Sequence, residues 1–163
     1  MNGPWKSPRR SRKREAEKRG MEEGVVLIDV LRIPDPSEKS SLYLRRAEEL
    51  LSEARRLFES KDFIQASERA WGACASVVKA YAELKGLEHY RHVQLEEVVS
   101  SIVAEREGDK ELVTGCSDCL RLHENSYEGL MSEEDLRASL ELAEGFVRKV
   151  EGVVSNLIKK YSN

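Results

Sequence analysis

Residues 132–161 read SEEDLRASLELAEGFVRKVEGVVSNLIKKY, and this stretch decides the fold class. Leu136, Leu140, Ala143, Phe146, Val147, Val150, Val153, Val154, Leu157, Ile158 and Tyr161 recur at spacings of three and four, which lines one face of a helix. Ser132 followed by three acidic residues is a helix start, since the hydroxyl accepts from a free backbone N–H and the carboxylates suit the positive end of the helix dipole. Glu133 with Arg137 and Glu144 with Arg148 are i,i+4 pairs in the favourable order, each adding about 0.2–0.5 kcal/mol. The stripe matters more, because a well-buried large apolar side chain contributes about 1.5–3 kcal/mol.

Working outward, the same period returns upstream. Asp35-Pro36 reads as a cap with proline at the first helical position, opening a helix over about 40–60 whose apolar positions are Ala47, Leu50, Leu51, Ala54, Leu57 and Phe58. Ser60-Lys61-Asp62 is a short polar break, and Asp62 with Gln65 fits a capping box. The next helix runs from Phe63 to Lys85 and stops at Gly86. Phe63, Ala66, Ala70, Cys74, Val77, Tyr81 and Leu84 form its seam, and Ala66, Ala70, Gly72, Ala73 and Ala75 allow a neighbour to come close. A break this short makes the two helices antiparallel neighbours. Leu95, Val98, Val99, Ile102 and Val103 give a third helix one apolar face, and a fourth follows over about 110–127. The expected fold is all-α, an antiparallel up-and-down bundle of four to five helices. Val25 to Ile33, apolar and rich in β-branched residues up to Pro34, is expected as a short extended segment, in a region 21–34 ahead of a bundle over 35–163.

Composition narrows the function classes. The 163 residues carry 35% charged and 40% hydrophobic side chains, with glutamine only at 65 and 94, a balance that suits a heat-adapted protein. No apolar run approaches the roughly 18 residues of a membrane span, so no membrane association is expected and the cytoplasm is the expected compartment. Three cysteines in a chain of this size do not suggest a secreted disulfide framework. Net charge is −3 but uneven: residues 1–20 hold eight basic and two acidic side chains, and the remainder is acidic. That first segment has no hydrophobic period and is expected to be a disordered arm. Arg9, Arg10, Arg12, Lys13 and Arg14 would bind nucleic acid through phosphate contacts, or form a solvated tail.

Three segments together resemble a known family: Ala47-Glu-Glu-Leu-Leu-Ser-Glu-Ala54, Lys61-Asp-Phe-Ile-Gln-Ala-Ser-Glu-Arg-Ala-Trp-Gly-Ala73 and Leu122-His-Glu-Asn-Ser-Tyr-Glu128. They look like the archaeal PaREP family, which is grouped with the HEPN helical domains. The resemblance covers roughly residues 35–160. It implies a compact antiparallel bundle, commonly a homodimer, in an archaeal cytoplasm. Many HEPN domains are ribonucleases that use Arg, four to six residues, then His. This sequence departs from that pattern. The positions five to seven before His123 are Cys116, Ser117 and Asp118, those before His92 are Lys85 to Leu87, and those before His89 are Ala82 to Leu84. Arg121-Leu122-His123 is too close. The resemblance also makes Met21 a candidate start, with residues 1–20 either an added arm or a gene-calling artefact.

Candidate chemistry is sparse. Arg121, His123, Asn125 and Tyr127 read as a polar patch facing a groove or partner, or as buried groups hydrogen-bonding across the bundle. Cys116 and Cys119 with His123 place three potential zinc ligands on one helical face, with His89 or His92 as a fourth, although a second CxxC is missing. Trp71 and Tyr81 read as core or interface. No phosphate-binding glycine loop or hydrolase elbow occurs, so no cofactor and no catalytic residue is assigned. The leading expectation is a non-catalytic HEPN-like interaction module that pairs with a second copy of itself. The alternatives are an RNA-processing or nucleotide-binding protein with a degenerate site, and a helical-repeat adaptor.

Overall fold

The computed structural model describes residues 21–162, and the basic arm over 1–20 lies outside them. Among the described residues six helices follow one another: α1 Glu23–Val30, α2 Pro36–Glu59, α3 Phe63–Lys85, α4 His92–Glu105, α5 Lys110–Glu128 and α6 Glu133–Tyr161. No strand occurs among the described residues. The all-α expectation stands, with one helix more than four to five.

Local chemistry sets the ends. Asp35, Asp62, Asp109 and Ser132 each accept from a backbone N–H of the first turn. Asp62 caps α3 as expected, but the Gln65 amide returns to the Asp62 carboxylate at 3.0 Å rather than to backbone. Gly86 and Gly129 close α3 and α5 with φ of 65° and 64°, the left-handed conformation that glycine adopts without penalty.

The additional helix corrects the expectation of an extended segment at Val25 to Ile33. Residues 23–30 are helical, and only Leu31 to Asp35 runs without helix. Val25, Val26, Ile28 and Asp29 are buried, the i, i+1, i+3, i+4 set of one helical face. Glu22 caps this helix by accepting from the Val25 N–H at 3.0 Å. Docking against the bundle overrides β propensity, which is a weak prior. Pro34 and Pro36 then favour extended backbone at the residues before them and end the helix.

Cross-helix partners fix the directions. Ser67 meets Asn125 and Cys74 meets Cys119, so α3 and α5 are antiparallel. Asp118 meets Ser139 and Gly115 lies against Phe146, which makes α5 and α6 antiparallel. Glu48 meets Arg148 and Arg55 meets Glu144, which does the same for α2 and α6. The four long helices thus run up, down, up, down. Short α4 packs at the corner between the end of α3 and the start of α5, where Lys85 reaches Glu105 at 3.1 Å. None of the helices is long and apolar enough to cross a membrane among the described residues.

The centre of the bundle is α3. Every residue from Ala70 to Ala82 is buried, so this helix has no solvent face over that span and not merely the one seam its spacing suggests. Its small residues make this possible, since neighbours approach on all sides. The α6 stripe from Leu136 to Val154 packs into the same core. Helices α5 and α6 come close at Gly115, where a built β-carbon would stand 2.7 Å from Phe146 Cβ and 3.3 Å from the Leu142 carbonyl oxygen.

Gly115→Ala is therefore expected to destabilise the fold by about 1–3 kcal/mol, because overpacking outweighs the gain in helix propensity. Gly152→Ala, where a β-carbon meets nothing within 4 Å, should be neutral or mildly stabilising. Urea denaturation of the two variants checks the contrast.

Candidate functional site

Among the described residues, a buried polar cluster forms where α1, α2, α3 and the loop before α4 meet. Asp29 projects from α1 into it, Tyr43 from α2 and Lys79 from the enclosed face of α3. The Lys79 side chain is 0% exposed and that of Asp29 1%. Lys79 Nζ donates to both carboxylate oxygens of Asp29, at 2.9 and 2.8 Å, and to the His89 carbonyl oxygen at 2.7 Å. The Tyr43 hydroxyl donates to Asp29 Oδ1 at 2.6 Å. Lys39 Nζ donates to the Asp29 backbone carbonyl at 3.2 Å and lies 3.8 Å from Glu83. An ammonium with this burial stays in the fold only when opposed by a charge and given hydrogen bonds, and both conditions hold.

His89 closes the cluster. Its Nδ1 lies 2.7 Å from the Leu87 carbonyl oxygen, which can only accept, so Nδ1 carries the hydrogen. Nε2 then faces Glu83 Oε2 at 3.2 Å and the Tyr43 hydroxyl at 3.5 Å. Burial first, then the Lys79 charge, lowers the pKa of the ring, against the opposing pull of the Leu87 carbonyl, Glu83 and Asp29. Burial, followed by the Asp29 charge, raises that of Tyr43, which stays protonated and donating. At the other end of α1, Arg46 grips Glu22 with two hydrogen bonds of 2.6 and 3.2 Å. Burial alone would raise the Glu22 pKa, but Arg46 and the backbone N–H groups of Gly24 and Val25 outweigh it and lower the value.

The polar patch expected on α5 does not assemble as one surface. Asn125 is buried and structural: its amide donates to Ser67 Oγ at 2.9 Å and its oxygen accepts from the Met131 N–H at 3.0 Å. Arg121 lies 3.4 Å from Asp118, which also accepts from Ser139 of α6. Two residues along a helix are about 200° apart, so Arg121 and His123 leave opposite flanks of α5. His123 and Tyr127 do come together, edge to face at 5.3 Å, and His123 lies over Trp71 at 4.6 Å. Trp71 is core, as read. Tyr127 is 67% exposed and Leu130 84%, and Ile64 of α3 lies against Gly129 between them in sequence.

The cysteines behave differently from their sequence reading. Cys74 on α3 and Cys119 on α5 form a disulfide inside the core. A bond between separate helices has no local spacing signature, so three cysteines in sequence did not disclose it. With Cys119 so engaged, the set Cys116, Cys119 and His123 is not assembled as a metal centre, and no group of three or more His, Cys, Asp or Glu is placed to hold a metal among the described residues. Cys116 remains a thiol in an apolar cleft between α3, α4 and α5, and burial, followed by the Glu96 charge, raises its pKa. Such a thiol is poorly nucleophilic. Arg9, Arg10, Arg12, Lys13 and Arg14 lie outside the described residues.

Tyr43 and Lys79 were not singled out from sequence, and His89 was read there as a possible fourth zinc ligand rather than as part of a buried cluster. Asp29 interrupting an apolar run and Lys79 inside an unbroken run of small and apolar residues were the available signals, since buried charges come in opposed pairs.

Comparison with known proteins adds one result. The model of the archaeal PaREP1/PaREP8 family matches residues 42–147. The chain belongs to that family. No curated protein and no solved structure matches the chain. The PaREP1/PaREP8 match contains Tyr43, Lys79, Glu83 and His89, and begins within α2, after the helix that supplies Asp29.

Lys79→Met should destabilise the protein by about 3–5 kcal/mol by leaving the Asp29 carboxylate buried without its cation, and the double change Asp29→Leu with Lys79→Met should recover most of that loss. Urea unfolding of the three proteins checks both. For pH, the folded-state pKa of His89 lies below its ordinary value of 6.5, so its contribution is present above about pH 6.5 and is lost as pH falls through the folded pKa. Thermal melting should therefore weaken in that window, and His89→Gln should flatten it. Denatured without reductant, the chain should titrate one thiol, and after reduction three; reduction should lower stability by about 4 kcal/mol for a 45-residue separation.

Proposed function

We propose that this protein is a non-catalytic, HEPN-like helical interaction module that works as a homodimer in the cytoplasm of a heat-adapted archaeon. One observation carries the non-catalytic part. His89 and its neighbours are buried in a hydrogen-bonded cluster, while Arg121 and His123, the nearest approach to an Arg/His nuclease pair, leave opposite flanks of α5. A general acid or base must reach its substrate, and His89 is covered by Tyr43, Glu83 and Tyr90.

The family match and the balance of charge support the cellular setting, and a disulfide inside the core is compatible with it, because intracellular proteins of hyperthermophilic archaea are often disulfide-rich. Support for a partner comes from exposed apolar side chains. Ile64, Tyr127 and Leu130 share one corner of the bundle, and Leu27, Val30, Leu31 and Tyr90 surround the end of α1. The α6 stripe does not add to this support, since it packs into its own core as far as Val154.

A second reading has its own observation. Trp71, His123 and Tyr127 form a chain of ring contacts leading from core to surface, and the exposed tyrosine ring at its end suits a stacked base. That arrangement favours an RNA-processing or nucleotide-binding protein with a degenerate site.

Incubation with total RNA separates the two readings. The interaction module should leave the RNA intact, whereas cleavage that disappears in His123→Ala would establish the second reading. Sedimentation at micromolar protein should give twice the chain mass of 18.6 kDa; a monomer would remove the dimer.

A further inference from the structure

Helix α1, the first among the described residues, is fastened to the bundle by polar contacts at both ends. It has eight residues, too few to be stable alone. It lies antiparallel to α2, with Glu22 opposite Arg46 and Asp29 opposite Tyr43. Its polar anchors are Glu22 to Arg46 at one end, and Asp29 to Lys79, Tyr43 and Lys39 at the other. Val25, Val26 and Ile28 fill the space between them. The surface of α2 and α3 under α1 is thus a receptor for a short helix with an acid at each end and an apolar middle.

The connection to this helix is a five-residue segment, Leu31 to Asp35, containing Pro34 and followed by Pro36. Two prolines hold the residues before them extended, which works against the reversal the segment must make to lay α1 back on α2. Short, stiff hinges of this kind favour exchange of the attached element between copies. The apolar surface agrees. Val30, Leu31 and Tyr90 are exposed and line an open hollow at the hinge with Ile33 and Pro34. A single chain leaves these side chains in water. Two hinges crossing about a two-fold axis would cover them with the same residues of the other copy.

We propose that two copies of this chain exchange α1, each seating its Asp29 between the Lys79 ammonium and the Tyr43 hydroxyl of the other. The occupant of the receptor in the dimer is the second copy's α1, which reproduces every contact the chain's own α1 makes. This rests on the homodimer reading above and gives it a specific geometry.

The test uses full-length chains and reversed charges. Asp29→Lys in one chain and Lys79→Asp in another each oppose like charges, both within the chain and in a dimer of identical copies. In an exchanged dimer of one of each, both receptors hold an opposite pair. Refolding the two variants together should give a heterodimer whose melting temperature exceeds that of either alone. The chain carrying both changes should fold by itself and shows that the reversed pair is tolerated. A mixture that melts as the simple sum of its components, while the double variant folds, overturns exchange. If the double variant does not fold, a hinge insertion in the otherwise unmodified chain decides. About six Gly and Ser residues between Arg32 and Ile33 relax the reversal. Exchange requires a twofold drop in sedimenting mass with helicity retained, and an unchanged dimer overturns it. That last result leaves a homodimer through another face intact, whereas an unmodified chain that sediments as a monomer ends both proposals.

Discussion

An amine without access to water sits inside this bundle, and much of the rest is arranged around keeping it there. Lys79 occupies a helix that is buried on all sides from Ala70 to Ala82, so its charge must be answered from within. Asp29 supplies the answering charge, and Tyr43 and the His89 carbonyl complete the hydrogen bonding. Asp29 belongs to a helix too short to persist alone, so the charge pair and the docking of α1 are one event. Either without the other would leave a desolvated ion, which is far less favourable than an apolar pair of the same shape.

This dependence explains what the sequence disclosed and what it withheld. Amphipathic spacing shows wherever a helix has a dry side and a wet side, so α2, α5 and α6 were legible, the first and last of them with their caps at Asp35 and Ser132. In α3 the seam was legible, but its complete burial was not, because alanine, serine and glycine serve equally on an exposed face and in a close helix contact. The segment at Val25 misled for a related reason. Its residues have strand propensity, and only the matching groove on α2 and α3 makes them helical. That groove is assembled from residues distant in sequence.

The candidate site was the least legible. Asn125, His123 and Tyr127 follow one another closely, yet Asn125 turns inward to Ser67 while Tyr127 faces solvent. Helical phase separates them, and phase was a better guide than chemical type. The buried cluster joins positions 29, 43, 79 and 89. No local pattern connects such positions, so charge balance inside an apolar run was the available clue. The cysteines illustrate the same limit, since the pair that bonds spans two helices while the pair close in sequence does not.

The cross-link between Cys74 and Cys119 has a topological effect beyond the bond itself. It closes a covalent ring containing the second half of α3, all of α4 and the first half of α5. Helix α4 is the member of that ring with the slightest hold on the others. A peptide bond broken within α4 would therefore not release two polypeptides, because the fragments stay tethered through sulfur. The long helices on either side of such a break would still be stapled together.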